Sequence, residues 1–296
     1  MAGNVGRTGS SKINQDSVFV AKMVGPSQGS SEMMKSAQSK KEWFVAVADG
    51  HGANGHFVSQ YIAQHMPKHF ENDKKAIERS KKPKETHDQF RQGQNESHYS
   101  SKDNTNREGD SGTALFKNIE KAMVSTFLGV QSKLEKQTQF DCKLSGSTLV
   151  TCYCKQNTFI FGNAGDSRAI VIGQTNDKEA AFVHGGERGG MRDNSLVIMA
   201  QTRDHKPDLP DEAERILNHY DGQINNTHAQ TLVIQAIQGV HAVAPPKPSQ
   251  KLGPLRVWVH NQTYPGLAMS RSVGDVLAKK AGVVAEPEVT QFVFDP

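Results

Sequence analysis

Asp49-Gly50-His51-Gly52 stands directly after the apolar run Trp43–Ala48. A carboxylate that ends an apolar strand is carried to the rim of a sheet, and glycines on both sides of a histidine let backbone atoms approach a bound ion closely. Asp-Gly is also a frequent turn, so the tetrapeptide alone supports either reading. The same setting recurs along the chain: Asn14-Gln15-Asp16 opens a β-rich run, Gly165-Asp166 lies at a glycine bend, and Gly274-Asp275 closes another apolar stretch. Taken singly, each aspartate is a turn former or a strand cap. Taken together, aspartates at strand ends beside glycines fit an oxygen-ligand cluster for a hard divalent cation such as Mg²⁺ or Mn²⁺. The histidines and thiols lack the spacing of a zinc site. Cys152 and Cys154 fall in an alternating stretch that points both thiols to one strand face. They read as reduced thiols, the alternative being a metal or redox role.

The elements that must carry these residues follow from periodicity. Asp16–Met23 and Trp43–Ala48 read as strands joined by a Gly/Ser-rich loop at Gly25–Lys41. Ser147–Cys154 and Thr158–Gly162, separated by Lys155-Gln156-Asn157, suit a hairpin. Further strands are expected at Arg168–Ile172, Leu196–Gln201, Thr231–Ile237, Leu255–His260 and Thr290–Phe294. Phe57, Val58, Tyr61, Ile62 and Met66 share one helical face after a candidate N-cap at Asn54, with Pro67 expected to mark the end. Leu115, Ile119, Met123, Phe127, Val130 and Leu134 do the same over five turns. A shorter helix is expected after Pro210, where Asp211 and Glu212 suit the positive end of its dipole. Strands outnumber helices and the helices come in a block, which points to an α+β fold of antiparallel sheet layers with helices packed outside.

The 296-residue chain is long enough to bury a full core, yet only 35% of it is hydrophobic. Residues 71–112 account for much of the dilution, since Ala76, Ile77, Phe90 and Tyr99 are their only apolar members, and a disordered polar insertion is expected there. A net charge of +4 is too small to argue for nucleic acid. The longest apolar run, Trp43–Ala48, is far short of the roughly 20 residues of a bilayer-spanning helix. The N-terminal residues carry no secretory apolar region, and three cysteines do not make a disulfide framework, so an intracellular protein, cytoplasmic or nuclear, is expected. A monomer is expected as well.

Seven runs in order carry a resemblance: NQD at Asn14–Asp16, VADGHG at Val47–Gly52, SGSTLV at Ser145–Val150, GNAGDSRAIV at Gly162–Val171, DHKPDLPDEAERI at Asp204–Ile216, PGLAMSRSVGD at Pro265–Asp275 and VVAEPEV at Val283–Val289. Together they are similar to the metal-dependent protein phosphatases of type 2C, the PPM family. The resemblance implies an antiparallel two-sheet β-sandwich flanked by helices over residues 1–296, with two Mn²⁺ or Mg²⁺ ions at one rim and a third held weakly. It implies that Asp49 bridges the ions, that Gly50 offers its carbonyl, that Asp166 contacts the weakly held ion, and that His51 is the general acid. It also implies that Gln15 and Asp16 act through metal-bound waters, and Asp275 is expected either to do the same or to support the ion ligands from behind. The implied activity is hydrolysis of phosphoserine and phosphothreonine in phosphorylated protein substrates.

Two departures from the family pattern stand out. Ser11 occupies the place of a phosphate-gripping arginine, leaving Lys12 or Arg7 as the candidate phosphate-binding residues. The sequence given stops at Pro296, before the family's last Asp-Gly and Asp-Asn motifs, so those strands are expected to be missing from a fragment. The alternative function is a catalytically impaired, phosphoprotein-binding regulatory module.

Overall fold

The structure, a computed structural model, describes residues 13–23, 42–80, 108–175, 195–221, 254–259 and 265–294. The expected strand at Thr231–Ile237, the loop at Gly25–Lys41 and the candidates Lys12 and Arg7 lie outside the described residues. The fold is α+β, and every pair of named strands is antiparallel.

Strand β1 (Asp16–Met23) pairs with β2 (Glu42–His51) in a register that sets Asp16 opposite Asp49. On its other side β2 pairs with β4 (Leu149–Lys155) through Val47, and then its last residues, Gly50 and His51, pair with the short β3 (Gly146–Ser147). The expected strand at Ser147–Cys154 is thus two strands, split where Thr148 hydrogen-bonds across to Asp49. Strand β5 (Thr158–Ala164) forms the hairpin with β4, turning at Gln156-Asn157, where Gln156 takes the left-handed φ of 54° that a two-residue turn requires. β10 (Val273–Gly274) and β11 (Glu288–Val293) complete a seven-stranded sheet. Strands β6 (Ile170–Thr175) and β7 (Ser195–Gln201) pair separately, as do β8 (Val257–Trp258) and β9 (Pro265–Leu267).

Alternation divides the large sheet into two faces. Phe19, Phe44, Ala46, Leu149, Tyr153 and Ile160 pack under the helices α1 (Gly55–Ser80) and α2 (Glu108–Lys136). From α1 come Val58, Ile62, Met66 and Phe70, and from α2 come Ile119, Met123, Phe127, Val130 and Leu134, all fully buried. The rings of Phe44 and Phe70 stack at 3.9 Å. On the opposite face Val18, Val20, Trp43 and Val47 are exposed. Asp49 belongs to that opposite face, because it keeps the two-residue phase of Trp43, Val45 and Val47.

Two sequence expectations are corrected here. Pro67 does not end α1; the helix runs on to Ser80. A proline costs one internal hydrogen bond, and the continuation offsets it with Phe70 in the core and with Lys74, buried, ion-paired to Glu42 beneath the helix. For the same reason residues 71–80 do not belong to a disordered insertion. Residues 71–80 and 108–112 are helical, with Ile77 against the core and Asp73 accepting a hydrogen bond from Thr126 of α2 at 2.9 Å. The polar composition of 71–80 is that of a helix anchored by a buried ion pair and an interhelical bond.

A second, smaller cluster joins helix α3 (Pro210–Asp221) and the short α4 (Val276–Lys279) through Ile216, Val257, Leu267, Met269, Ala278, Ala281 and Val283. At its centre the fully buried Glu212 receives bidentate donation from Arg215 and further bonds from Arg271 and Ser270. Burial opposes ionisation of that carboxyl, but these donors outweigh it and hold it well below the usual carboxylate range. No helix among the described residues is long and apolar enough to cross a membrane.

Candidate active site

The β1–β2 register is the first cause of the site. It places Asp16 and Asp49 directly opposite each other at one end of the ladder. Partial burial and then the neighbouring Asp16 carboxyl raise Asp49 above the ordinary aspartate value, with Asp166 adding to the push. Two facing carboxylates with a third nearby form a region of concentrated negative charge.

The backbone around Asp49 is held from both sides. Its amide donates to Thr148 Oγ1 at 3.1 Å, and the Thr148 amide donates back to the Asp49 carbonyl at 2.9 Å. Thr148 Oγ1 also meets Ser167 Oγ at 2.6 Å, which ties the second strand to the bend bearing Asp166. The Gly50 amide donates to the Gln15 carbonyl at 3.1 Å. A Cβ on Gly50 would lie 2.4 Å from the Gly55 carbonyl oxygen, so only glycine allows the strand to pass the start of α1 this closely. Gln15 Oε1 is buried beside Gly55 and has no protein hydrogen-bond partner.

His51 faces a different carboxylate. Its Nε2 donates to Asp275 Oδ2 at 2.7 Å, between residues 224 apart in sequence. Asp275 is almost fully buried and sits in the left-handed region at φ 46°, after Gly274 at φ 86°. Its amide donates to the Ser145 carbonyl at 2.9 Å, while Gln131 grips Gly274 from both the amide and the carbonyl side. Gly146 leaves the space for this carboxylate: a Cβ there would fall 2.1 Å from Asp275 Oδ2. Burial works against a charged imidazole at His51, yet the bond to Asp275 and the charges of Asp275 and Asp49 outweigh it and raise the histidine above its ordinary value. The other ring nitrogen, Nδ1, is buried and has no protein partner.

Asp166 is half-buried and ion-paired with Lys206, and Arg168 beside it pairs with Asp204 at 2.8 Å. The DHKP run therefore supplies a cation to the same rim. Of the residues singled out from sequence, the structure brings Asp16, Asp49, Gly50, Gln15 and Asp166 together at one end of β1 and β2, with His51 adjoining. Asp275 is engaged with His51. Thr148, Lys206 and Gly146 were not singled out. They lie within the SGST and DHKP runs quoted above, but nothing in their local spacing shows that they clamp Asp49, neutralise Asp166 or admit Asp275.

Among the described residues, no three His, Cys, Asp or Glu side chains converge tightly enough to enclose an ion by themselves. The donor set nevertheless suits a hard cation. Two carboxyl groups face each other across the β1–β2 ladder, and beside them an amide oxygen is buried without a partner.

The family profile described as Protein phosphatase 2C matches residues 113–295. The chain belongs to the protein phosphatase 2C family. The probable protein phosphatase 2C 72 of Arabidopsis thaliana is 29% identical over 245 residues, covering 83% of this chain and 54% of that protein. The probable protein phosphatase 2C 52 of the same plant is 28% identical over 290 residues, covering 97% of this chain and 53% of that protein. The chain thus spans about half the length of these curated relatives. In structure it is similar to the serine-threonine phosphatase 2C from Toxoplasma gondii, with a TM-score of 0.50 at 15% identity over 94% of this chain and 74% of that one. That likeness concerns the fold, and it agrees with the α+β arrangement of antiparallel sheets and helices expected of a type 2C phosphatase.

Proposed function

We propose that this protein phosphatase 2C family member hydrolyses phosphoserine and phosphothreonine in protein substrates, with Mn²⁺ or Mg²⁺ as cofactor. The observation that carries the reading is the pairing of an Asp16–Asp49 carboxylate rim with a histidine held by a buried carboxylate. Asp49 and the Gly50 carbonyl would hold the ions, Asp16 and Gln15 would act through their waters, and Asp166 would serve a further weakly held one. When bound, such ions supply positive charge against the phosphoryl oxygens and lower the pKa of water enough for it to attack phosphorus at neutral pH.

The chain's own residues have three tasks. Thr148 fixes the Asp49 backbone so that its carboxylate is presented without reorganisation. Asp275 accepts a hydrogen bond from Nε2 of His51, which orients the ring and favours a proton on it. His51, favoured in its charged form, donates that proton to the departing serine or threonine alkoxide, which is otherwise a poor leaving group. His51→Ala tests this assignment. Turnover of a phosphothreonine peptide should fall by about 10²–10⁴-fold, while an aryl phosphate with an acidic leaving group loses far less. Equal losses on both substrates would remove His51 from the acid role.

A further inference from the structure

Cys152 and Cys154 are not used by the site described above. Strand β4 directs both side chains to the sheet face opposite the helices, where Cys154 lies opposite Trp43 and Cys152 opposite Val45 on β2. Both thiols are half-buried, unpaired by any disulfide, and their sulfurs lie 3.4 Å apart. Cys142 differs in every respect. It is buried between the helices and the sheet, and its thiol donates to the Leu134 carbonyl at 3.3 Å.

We propose that Cys152 and Cys154 form a dithiol modification site that peroxide closes to an intramolecular disulfide within one strand. Two residues of extended chain separate Cα atoms by roughly 6.4–6.8 Å, at the upper edge of the roughly 4.4–6.8 Å span that a disulfide bridges. Parallel side chains two residues apart hold their Cβ atoms wider than the roughly 3.5–4.5 Å of a disulfide, so closure needs side-chain rotation and a local bend of β4 that draws the two residues together. The same limit makes the bond strained, and strained disulfides are the readily reduced ones. The site is thus reversible.

Either thiol can donate to the other sulfur at 3.4 Å, and that contact favours one thiolate in the pair. Cys154 is taken as the thiolate, and exchange of the two roles leaves the product the same. The Cys154 thiolate attacks one oxygen of hydrogen peroxide, the O–O bond breaks, and the released hydroxide takes up the thiol proton as water. The Cys154 sulfenic acid is then attacked by the Cys152 sulfur, expelling a second water that carries the Cys152 proton. Two thiols and one peroxide become one disulfide and two waters, and the two electrons lost by the sulfurs reduce the peroxide.

The test counts thiols and mass on the purified chain. The reduced protein is exposed to a small excess of hydrogen peroxide, quenched, denatured without reductant and weighed intact. The intact mass should fall by two hydrogens, and titratable thiols should fall from the three of the sequence to one, mapped to Cys142; dithiothreitol should restore all three. Cys142→Ser should still lose the two hydrogens, while Cys152→Ser and Cys154→Ser should not, gaining oxygen or staying unchanged instead. Retention of three thiols, oxygen addition to the wild type without loss of hydrogen, or a bridge that includes Cys142 would each overturn the proposal.

Discussion

Asp275→Asn is the sharpest probe of the buried half of the site. The side chain keeps its size and place in the pocket left by Gly146, but the negative charge that raises His51 is removed. A hydrogen bond to a charged group is worth about 1.5–3 kcal/mol against about 0.5–1.5 kcal/mol for a neutral one. The difference, about 1–1.5 kcal/mol, is the stability that the charged His51–Asp275 pair adds. His51 is raised in the folded protein above its ordinary value of 6.5. Its contribution is therefore complete below that value and is lost as pH rises through the folded one. Urea denaturation of the metal-free protein should show Asp275→Asn costing about 1–1.5 kcal/mol at about pH 5.5 and much less at about pH 9. Titration of the His51 ring by NMR should move to lower pH in the variant, since burial and Lys279 then act against a weaker opposing charge from Asp49 alone. An equal cost at both pH values, or a cost that grows with pH, would refute the assigned pair.

Other consequences follow from single contacts. Gly146→Ala should separate Asp275 from His51, because the new Cβ would sit 2.1 Å from Oδ2; a cost of about 1–3 kcal/mol and a lowered His51 titration are expected, and an unchanged titration would contradict it. Glu212→Gln should cost about 3–5 kcal/mol, because it weakens the only carboxylate that Arg215 and Arg271 are paired with among the described residues; a loss under about 1 kcal/mol would show the cluster to be dispensable. Lys206→Gln frees Asp166 from its ion pair, and a surface pair of up to about 1 kcal/mol corresponds to about a fivefold lower Mn²⁺ concentration for half-maximal thermal stabilisation. No change in that concentration would remove Asp166 from cation binding.

Local pattern and long-range packing divide what could be read in advance. Asp16–Met23 alternates because one face meets Phe44 and the other is open, so its bounds were legible residue by residue. The face of α2 was legible for the same reason, since Ile119, Met123, Phe127, Val130 and Leu134 all project into one core. Strand β2 runs past its apolar stretch because Gly50 and His51 find ladder partners on β3, and that pairing leaves no trace in polar residues. Residues 71–80 look like a solvated segment until Glu42, some thirty residues earlier, supplies a buried partner for Lys74. The acidic rim was legible from aspartates beside glycines and from the family motifs. The role of Asp275 was not, because it depends on a left-handed turn, on the room left by Gly146 and on a contact spanning most of the chain.

The central claim is that Asp49 organises a cation-dependent hydrolytic centre. Phosphate release from a phosphothreonine peptide, followed with and without Mn²⁺ for the wild type and for Asp49→Asn, tests it most directly. Release that requires Mn²⁺ and is lost in a variant still showing cooperative unfolding is the predicted result. Absence of release from the wild type, release in the presence of a chelator, or release undiminished by Asp49→Asn would contradict the claim.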